Sequence, residues 1–122
     1  MPKPLLCVES MEALRSIQAE NDPDFLRDFF SAFLSQIPER MEGIRLALNL
    51  KDARKLANCA HALKSGCLNF SAPPLVILCA QLEECGRAND LERAQATYLE
   101  LTPLVAQLII EISALPELKV AA

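Results

Sequence analysis

The chain holds one histidine, His61, in the run Asn58-Cys59-Ala60-His61-Ala62-Leu63-Lys64-Ser65-Gly66-Cys67-Leu68. Imidazole has a reference pKa of about 6.5, so near pH 7 much of it offers an unprotonated ring nitrogen. That nitrogen can attack phosphorus or bind a metal. Residues three, four and seven apart share a helix face. On that spacing His61 shares its face with Arg54, Ala57, Asn58, Lys64, Ser65 and Leu68. Leu56, Ala60, Leu63 and Cys67 form an adjoining apolar stripe, the pattern of a buried face. His61 is therefore expected at the edge of a core, with its ring open to solvent. A group in transfer carries negative charge spread over its oxygens, and a nearby cation stabilises it. Lys64, one turn on, is placed for that role, and Ser65 for a hydrogen bond.

The metal alternative needs a donor set. Five cysteines are present, Cys7, Cys59, Cys67, Cys79 and Cys85, but no C-x-x-C pair. Cys59 points away from His61 on a helix. Cys59, Cys67 and Cys79 read as small buried hydrophobes. An odd cysteine count argues against a secreted disulfide framework. Met1 to Cys7 is too short and proline-rich for a signal sequence. No apolar run approaches the ~20 residues of a membrane span. The expected location is the reducing cytoplasm, away from a membrane.

The helices that must position His61 follow from apolar spacing. Met1 to Glu9 is expected to be a loose lead-in, with Ser10 capping a short helix that carries Leu14 and Ile17. Asn21-Asp22-Pro23 is a break, with Asp22 as the next cap. From Asp24 to about Leu50, Phe25, Phe29, Phe33, Ile37, Met41, Ile44 and Leu48 recur at three- and four-residue steps, with a kink expected at Pro38. Asn49 to Asp52 is a turn, and Asp52 caps the histidine helix, which is expected to reach about Asn69. After Ser71-Ala72-Pro73-Pro74, a further helix turns Leu75, Leu78, Cys79 and Leu82 inward. Gly86 is expected at its C′ position. Asn89 with Glu92 reads as a capping box for a last helix. That helix presents Leu91, Ala94, Tyr98, Leu101, Val105, Leu108, Ile112 and Leu115. Pro103 is expected to bend it, and Pro116 to start a frayed tail.

At 122 residues and 52% hydrophobic, with 3 Gly and no Trp, the chain suits one all-α domain. Four substantial helices with short connections imply an antiparallel four-helix bundle with an additional short N-terminal helix. The expected domain is residues 1–122, with a core over about 10–115. A net charge of −4 argues against general nucleic-acid binding. Lys51, Arg54, Lys55 and Lys64 nevertheless gather around His61, which points to an acidic partner for that face.

The histidine stretch resembles the signature of histidine-containing phosphotransfer (HPt) domains, a His-x-Leu-Lys-Gly-Ser run followed by an apolar residue, Gly and Ala. Here it reads His61-Ala62-Leu63-Lys64-Ser65-Gly66, then Asn69, Phe70, Ser71 and Ala72. Gly-Ser is reversed as Ser65-Gly66, Ser71 replaces Gly, and Leu68 is bulkier than the usual small residue. Smallness at Ser65 and Gly66 is expected to keep His61 accessible. The likeness extends through Phe25-Leu26, Phe33-Leu34, Ile37-Pro38 and Met41, and through Leu78-Cys79, Leu82-Glu83 and Gly86-Arg87. It spans roughly residues 10 to 115.

The resemblance implies that His61 accepts a phosphoryl group from a receiver-domain aspartyl phosphate and passes it to another receiver. Partners would be receiver domains of response regulators or a hybrid sensor kinase. The chain would be a monomeric phosphocarrier with no kinase activity and no cofactor of its own, using Mg²⁺ supplied by the receiver. Arg54, Ala57, Asn58, Leu68, Glu83 and Arg87 would flank the histidine in partner docking, with Phe30 in an apolar docking patch. Met1 and the linker-free chain point to a free-standing protein. The alternative is an HPt-like module that docks a receiver or kinase without being phosphorylated.

Overall fold

The computed structural model describes residues 4–21, 24–68 and 73–119. Asp22, Pro23, Asn69, Phe70, Ser71 and Ala72, which carried the expected second cap and part of the family likeness, lie outside the described residues. Six helices follow in order: α1 (Val8–Asn21), α2 (Phe25–Leu50), α3 (Ala53–Cys67), α4 (Pro73–Ala88), α5 (Leu91–Ser113) and α6 (Pro116–Lys119). The fold is all-α, an antiparallel four-helix bundle of α2 to α5 with α1 added at the N-terminus.

The helix boundaries follow local chemistry. α2 ends where Lys51 adopts φ 56°, and the Asp52 N–H then bonds back to the Ala47 carbonyl at 2.8 Å. Asp52 Oδ1 accepts from the Lys55 N–H at 3.0 Å and starts α3. The next connection repeats this device. Asn89 takes φ 57°, the Asp90 N–H bonds to the Cys85 carbonyl at 2.8 Å, and Asp90 Oδ1 accepts from the Arg93 N–H at 3.2 Å. The left-handed residue is thus Asn89, not Gly86, and the cap is Asp90, not Asn89. An asparagine tolerates that conformation, so the helix runs on past the glycine. α1 starts at Val8 rather than at a Ser10 cap, with the Met11 N–H on the Cys7 carbonyl at 2.9 Å.

The core is continuous through the bundle. Leu26, Phe30, Ile37 and Ile44 enter it from α2, and Leu56, Ala60, Leu63 and Cys67 from α3. Leu75, Cys79, Leu82 and Cys85 come from α4, and Leu101, Leu108 and Ile112 from α5. The face of α2 is rotated from the expected one at its first turns. Leu26 and Phe30 are fully buried, while Phe25 is exposed and stacks on Phe29 with ring centroids 6.1 Å apart. Phe30 is therefore core, not part of a docking patch. Pro38 and Pro103 both lie within continuous helices.

The described residues nearest each end, from residue 4 and up to residue 119, are tied down further than expected, while residues 1–3 and 120–122 lie outside the described residues. Leu5 is buried, and its N–H bonds to the Glu111 carboxylate at 2.9 Å, with the Leu6 N–H on the same group at 3.0 Å. Arg15 Nε meets Glu117 Oε2 at 2.7 Å, tying α1 to α6. Pro116 opens α6 rather than a frayed tail, because proline fits a helix's first turn.

α3 and α4 make the most extensive contact in the bundle. A Cβ at Gly86 would lie 2.7 Å from both the Ala53 carbonyl oxygen and the Ala57 nitrogen, and 2.8 Å from Ala57 Cβ. Only glycine allows this approach. The pairings Ala57–Gly86, Lys64–Glu83 and Cys67–Cys79 advance along α3 as they retreat along α4, the register of antiparallel neighbours.

Two changes test this packing. Gly86→Ala should lower stability by about 1–3 kcal/mol in urea unfolding, although glycine-to-alanine inside a helix would otherwise add up to ~1 kcal/mol. A gain in stability would mean that α3 and α4 stand further apart. Leu63→Ala should cost about 2–5 kcal/mol, since Leu63 is fully buried. An unchanged unfolding midpoint would place Leu63 outside the core.

Candidate functional site

His61 stands in the third turn of α3, one turn before Lys64 and Ser65. Its neighbours Ala60 and Leu63 are buried, so the ring itself is turned to the bundle surface, with a side chain 58% exposed. Across the α3–α4 contact, Glu83 approaches the ring. Its side chain is only 5% exposed. The close packing at Gly86, three residues later, brings Glu83 within reach of α3.

Glu83 meets three donors. His61 Nδ1 lies 2.9 Å from Oε2, and Arg87, one turn along α4, places Nη2 on the same oxygen. Lys64 Nζ lies 2.7 Å from Oε1. The Lys64 ammonium, ion-paired with Oε1, holds the Glu83 carboxyl below its ordinary value against the opposing effect of burial, with His61 and Arg87 adding to the lowering. An ionised Glu83 is an acceptor only, so the contact with His61 assigns the proton to Nδ1. The lone pair is then on Nε2, on the ring's other edge.

A mostly apolar groove opens between α2 and α3, one turn along α3 from His61. It has a volume of about 200 Å³ and is lined by Phe29, Ala32, Phe33 and Gln36 of α2 and by Ser65 and Gly66 of α3. A Cβ at Gly66 would lie 2.4 Å from Phe33 Cε1. The smallness of Gly66 thus admits the Phe33 ring between the helices. Ser65 is exposed at the groove's edge.

The remaining expected residues divide. Arg54, Asn58, Leu68 and Arg87 are exposed, and Arg87 is 71% exposed in its side chain. Ala57 is buried against the Gly86 backbone, so it packs helices and offers no docking surface. Glu83 is likewise buried and faces His61, not a partner. Sequence spacing within α3 missed this role, because Glu83 lies on another helix. Its signal was a carboxylate four residues after the inward Cys79 and one turn before Arg87. Among the described residues, no group of three or more His, Cys, Asp or Glu is placed to hold a metal. Cys67 and Cys79 are buried, and the Cys67 hydrogen bond together with burial pushes the Cys79 thiol up, as expected for packing thiols. No helix among the described residues is long and apolar enough to cross a membrane.

The ion pairs make a pH prediction. The folded-state carboxyl of Glu83 is lowered from its ordinary 4.5, so its stabilising effect is present above that value. It is lost as pH falls through the lowered folded value. Glu83→Gln should therefore flatten the acid side of a melting-temperature profile between neutral pH and pH 3 or so. Parallel profiles for variant and parent would remove Glu83 from the pH dependence.

The family model described as Hpt domain matches residues 28–116. Among solved structures, the chain is similar to histidine-containing phosphotransfer protein B (HptB) from Pseudomonas aeruginosa PAO1. The two are 28% identical with a TM-score of 0.78, over 92% of this chain and 94% of that one. Comparison with curated protein sequences returns no match.

Proposed function

The chain belongs to the Hpt domain family and has a histidine phosphotransfer role in a phosphorelay, and from that premise we propose that His61 is the residue that carries the phosphoryl group. Proteins of this family are phosphocarriers rather than kinases, and they interact with receiver domains and kinases. The observation that carries the assignment is the exposed ring held through Nδ1 by a buried carboxylate, which leaves Nε2 as the ring nitrogen without that contact.

In the proposed step, the Nε2 lone pair attacks the phosphorus of a receiver's aspartyl phosphate. An N–P bond forms, the P–O bond to aspartate breaks, and the aspartate leaves as a carboxylate. As Nε2 gives up its lone pair, positive charge develops on the ring while Nδ1 keeps its proton. Glu83, ionised and fixed beside Nδ1, stabilises that charge without rearranging. Lys64 and Arg87, both paired with Glu83, put positive charge at this end of the ring, where a phosphoryl group would bring negative charge. Attack by a second receiver's aspartate reverses the step, breaks the N–P bond and returns a neutral ring. The receiver brings the Mg²⁺ that shields its own carboxylates and the phosphoryl oxygens. The apolar groove beside Ser65, with exposed Leu68, offers a contact surface for a receiver. We place the protein in the cytoplasm, as a monomer, where such partners are found.

Incubation with a phosphorylated receiver and Mg²⁺ should place label on the parent protein and none on His61→Gln. The label should be lost in acid and survive alkali, as a phosphorus–nitrogen bond does. Receivers that bind the parent tightly but never label it would instead support a docking module.

A further inference from the structure

Around Glu83 the cations are not equivalent. Lys64, from α3, is the sole charged partner of Oε1 among the described residues, at 2.7 Å, and its side chain is 25% exposed. Arg87, from α4 itself, shares Oε2 with His61, and its side chain is 71% exposed. His61, Lys64 and Arg87 are the titratable or charged groups that face this carboxylate. If Lys64 left, Oε1 would keep a buried negative charge with no partner, which is costly. If Arg87 left, Oε2 would still hold His61, and the guanidinium, already 71% exposed, would pass to solvent at little desolvation cost.

We propose that the two cations divide the work: Lys64 is a positioning residue that keeps Glu83 ionised against His61, and Arg87 is the cation that turns from Glu83 to the phosphoryl group on Nε2. Resting on the phosphotransfer reading, this deepens it and reassigns the role that sequence spacing gave to Lys64. The guanidinium suits the task. It presents five donors in a planar fork that matches two phosphoryl oxygens at once, and only one of its nitrogens is engaged with Glu83. Its attachment to Oε2 already brings it to the ring's neighbourhood. Release of Arg87 also concentrates Oε2 on Nδ1–H at the moment when the ring gains positive charge. The influences on Glu83 rank the same way, with Lys64 first and Arg87 last.

The test combines two measurements on the full chain. The first follows the Glu83 side-chain carboxyl by ¹³C NMR against pH, in parent, Lys64→Met and Arg87→Met. Lys64→Met should move the Glu83 titration upward further than Arg87→Met does. The second measures phosphoryl transfer from a phosphorylated receiver for each variant, alone and combined with Glu83→Gln. Lys64→Met should slow transfer by about tenfold in the parent but by less than about twofold beside Glu83→Gln, since it acts through Glu83. Arg87→Met should slow transfer by a similar factor on both backgrounds, and Arg87→Lys should recover only part of the rate. An equal Lys64 effect on both backgrounds would overturn the proposal, as would an Arg87 effect on the Glu83 titration that matches that of Lys64. If the parent takes no label at all, the phosphotransfer reading fails and the transfer role of Arg87 with it. The NMR arm would then still decide which cation holds Glu83 ionised.

Discussion

One buried carboxylate organises the functional face. A glutamate on a core-facing helix surface needs partners for both oxygens, because an unpaired buried charge costs several kcal/mol. Glu83 finds them on α3 and on its own helix, and each partner is a residue of the candidate site. The approach of α4 to α3 is thus a condition for the chemistry as well as for the core. Gly86 makes the approach by omitting a side chain opposite Ala57. Antiparallel register then carries Glu83 to the level of His61 and Lys64. A shift of one turn in either helix would break the contacts to His61 and Lys64 together, leaving only the Arg87 pair within α4.

His61 sits between unlike surfaces. On the α4 side it meets an ionised, rigid, nearly dry group. On the α2 side lies an apolar groove floored by Phe33 against Gly66. The first flank sets which ring nitrogen is free and steadies positive charge on the ring. The second supplies a mostly apolar surface one turn along α3, at Ser65 and Gly66. That separation suits a carrier. On the role proposed for His61, the ring must be reachable by a large partner, yet its electrostatics must be set before the partner arrives.

The two ends of the chain show a related economy. Glu111 gathers the N–H groups of Leu5 and Leu6, and Arg15 joins Glu117, so short terminal segments lie against the bundle. Each contact links residues about a hundred positions apart, and local propensity is silent on such contacts. The expected loose lead-in and frayed tail were reasonable readings of short, proline-bearing segments. Long-range carboxylate contacts overrule them at Leu5, Leu6 and Glu117, within the described residues. The helix caps differ for a subtler reason. Gly86 had the composition of a helix end, but its missing side chain serves interhelix contact. The turn falls to Asn89 and Asp90 instead.

By itself the sequence determined the number and order of the main helices, the inward stripe of α3, and His61 as an exposed residue beside that stripe. These are period-3.6 properties, set by neighbours within two turns, and α3 places them without reference to the other helices. The family likeness was legible in the same local run. Only the tertiary structure decided what surrounds the ring. It buried Ala57 and Phe30, paired Lys64 with Glu83, and used Gly66 to admit Phe33. The reason is physical. Spacing along one helix specifies which residues share a face, but a carboxylate's partners depend on the distance and register between helices, and these are set by packing across the whole bundle.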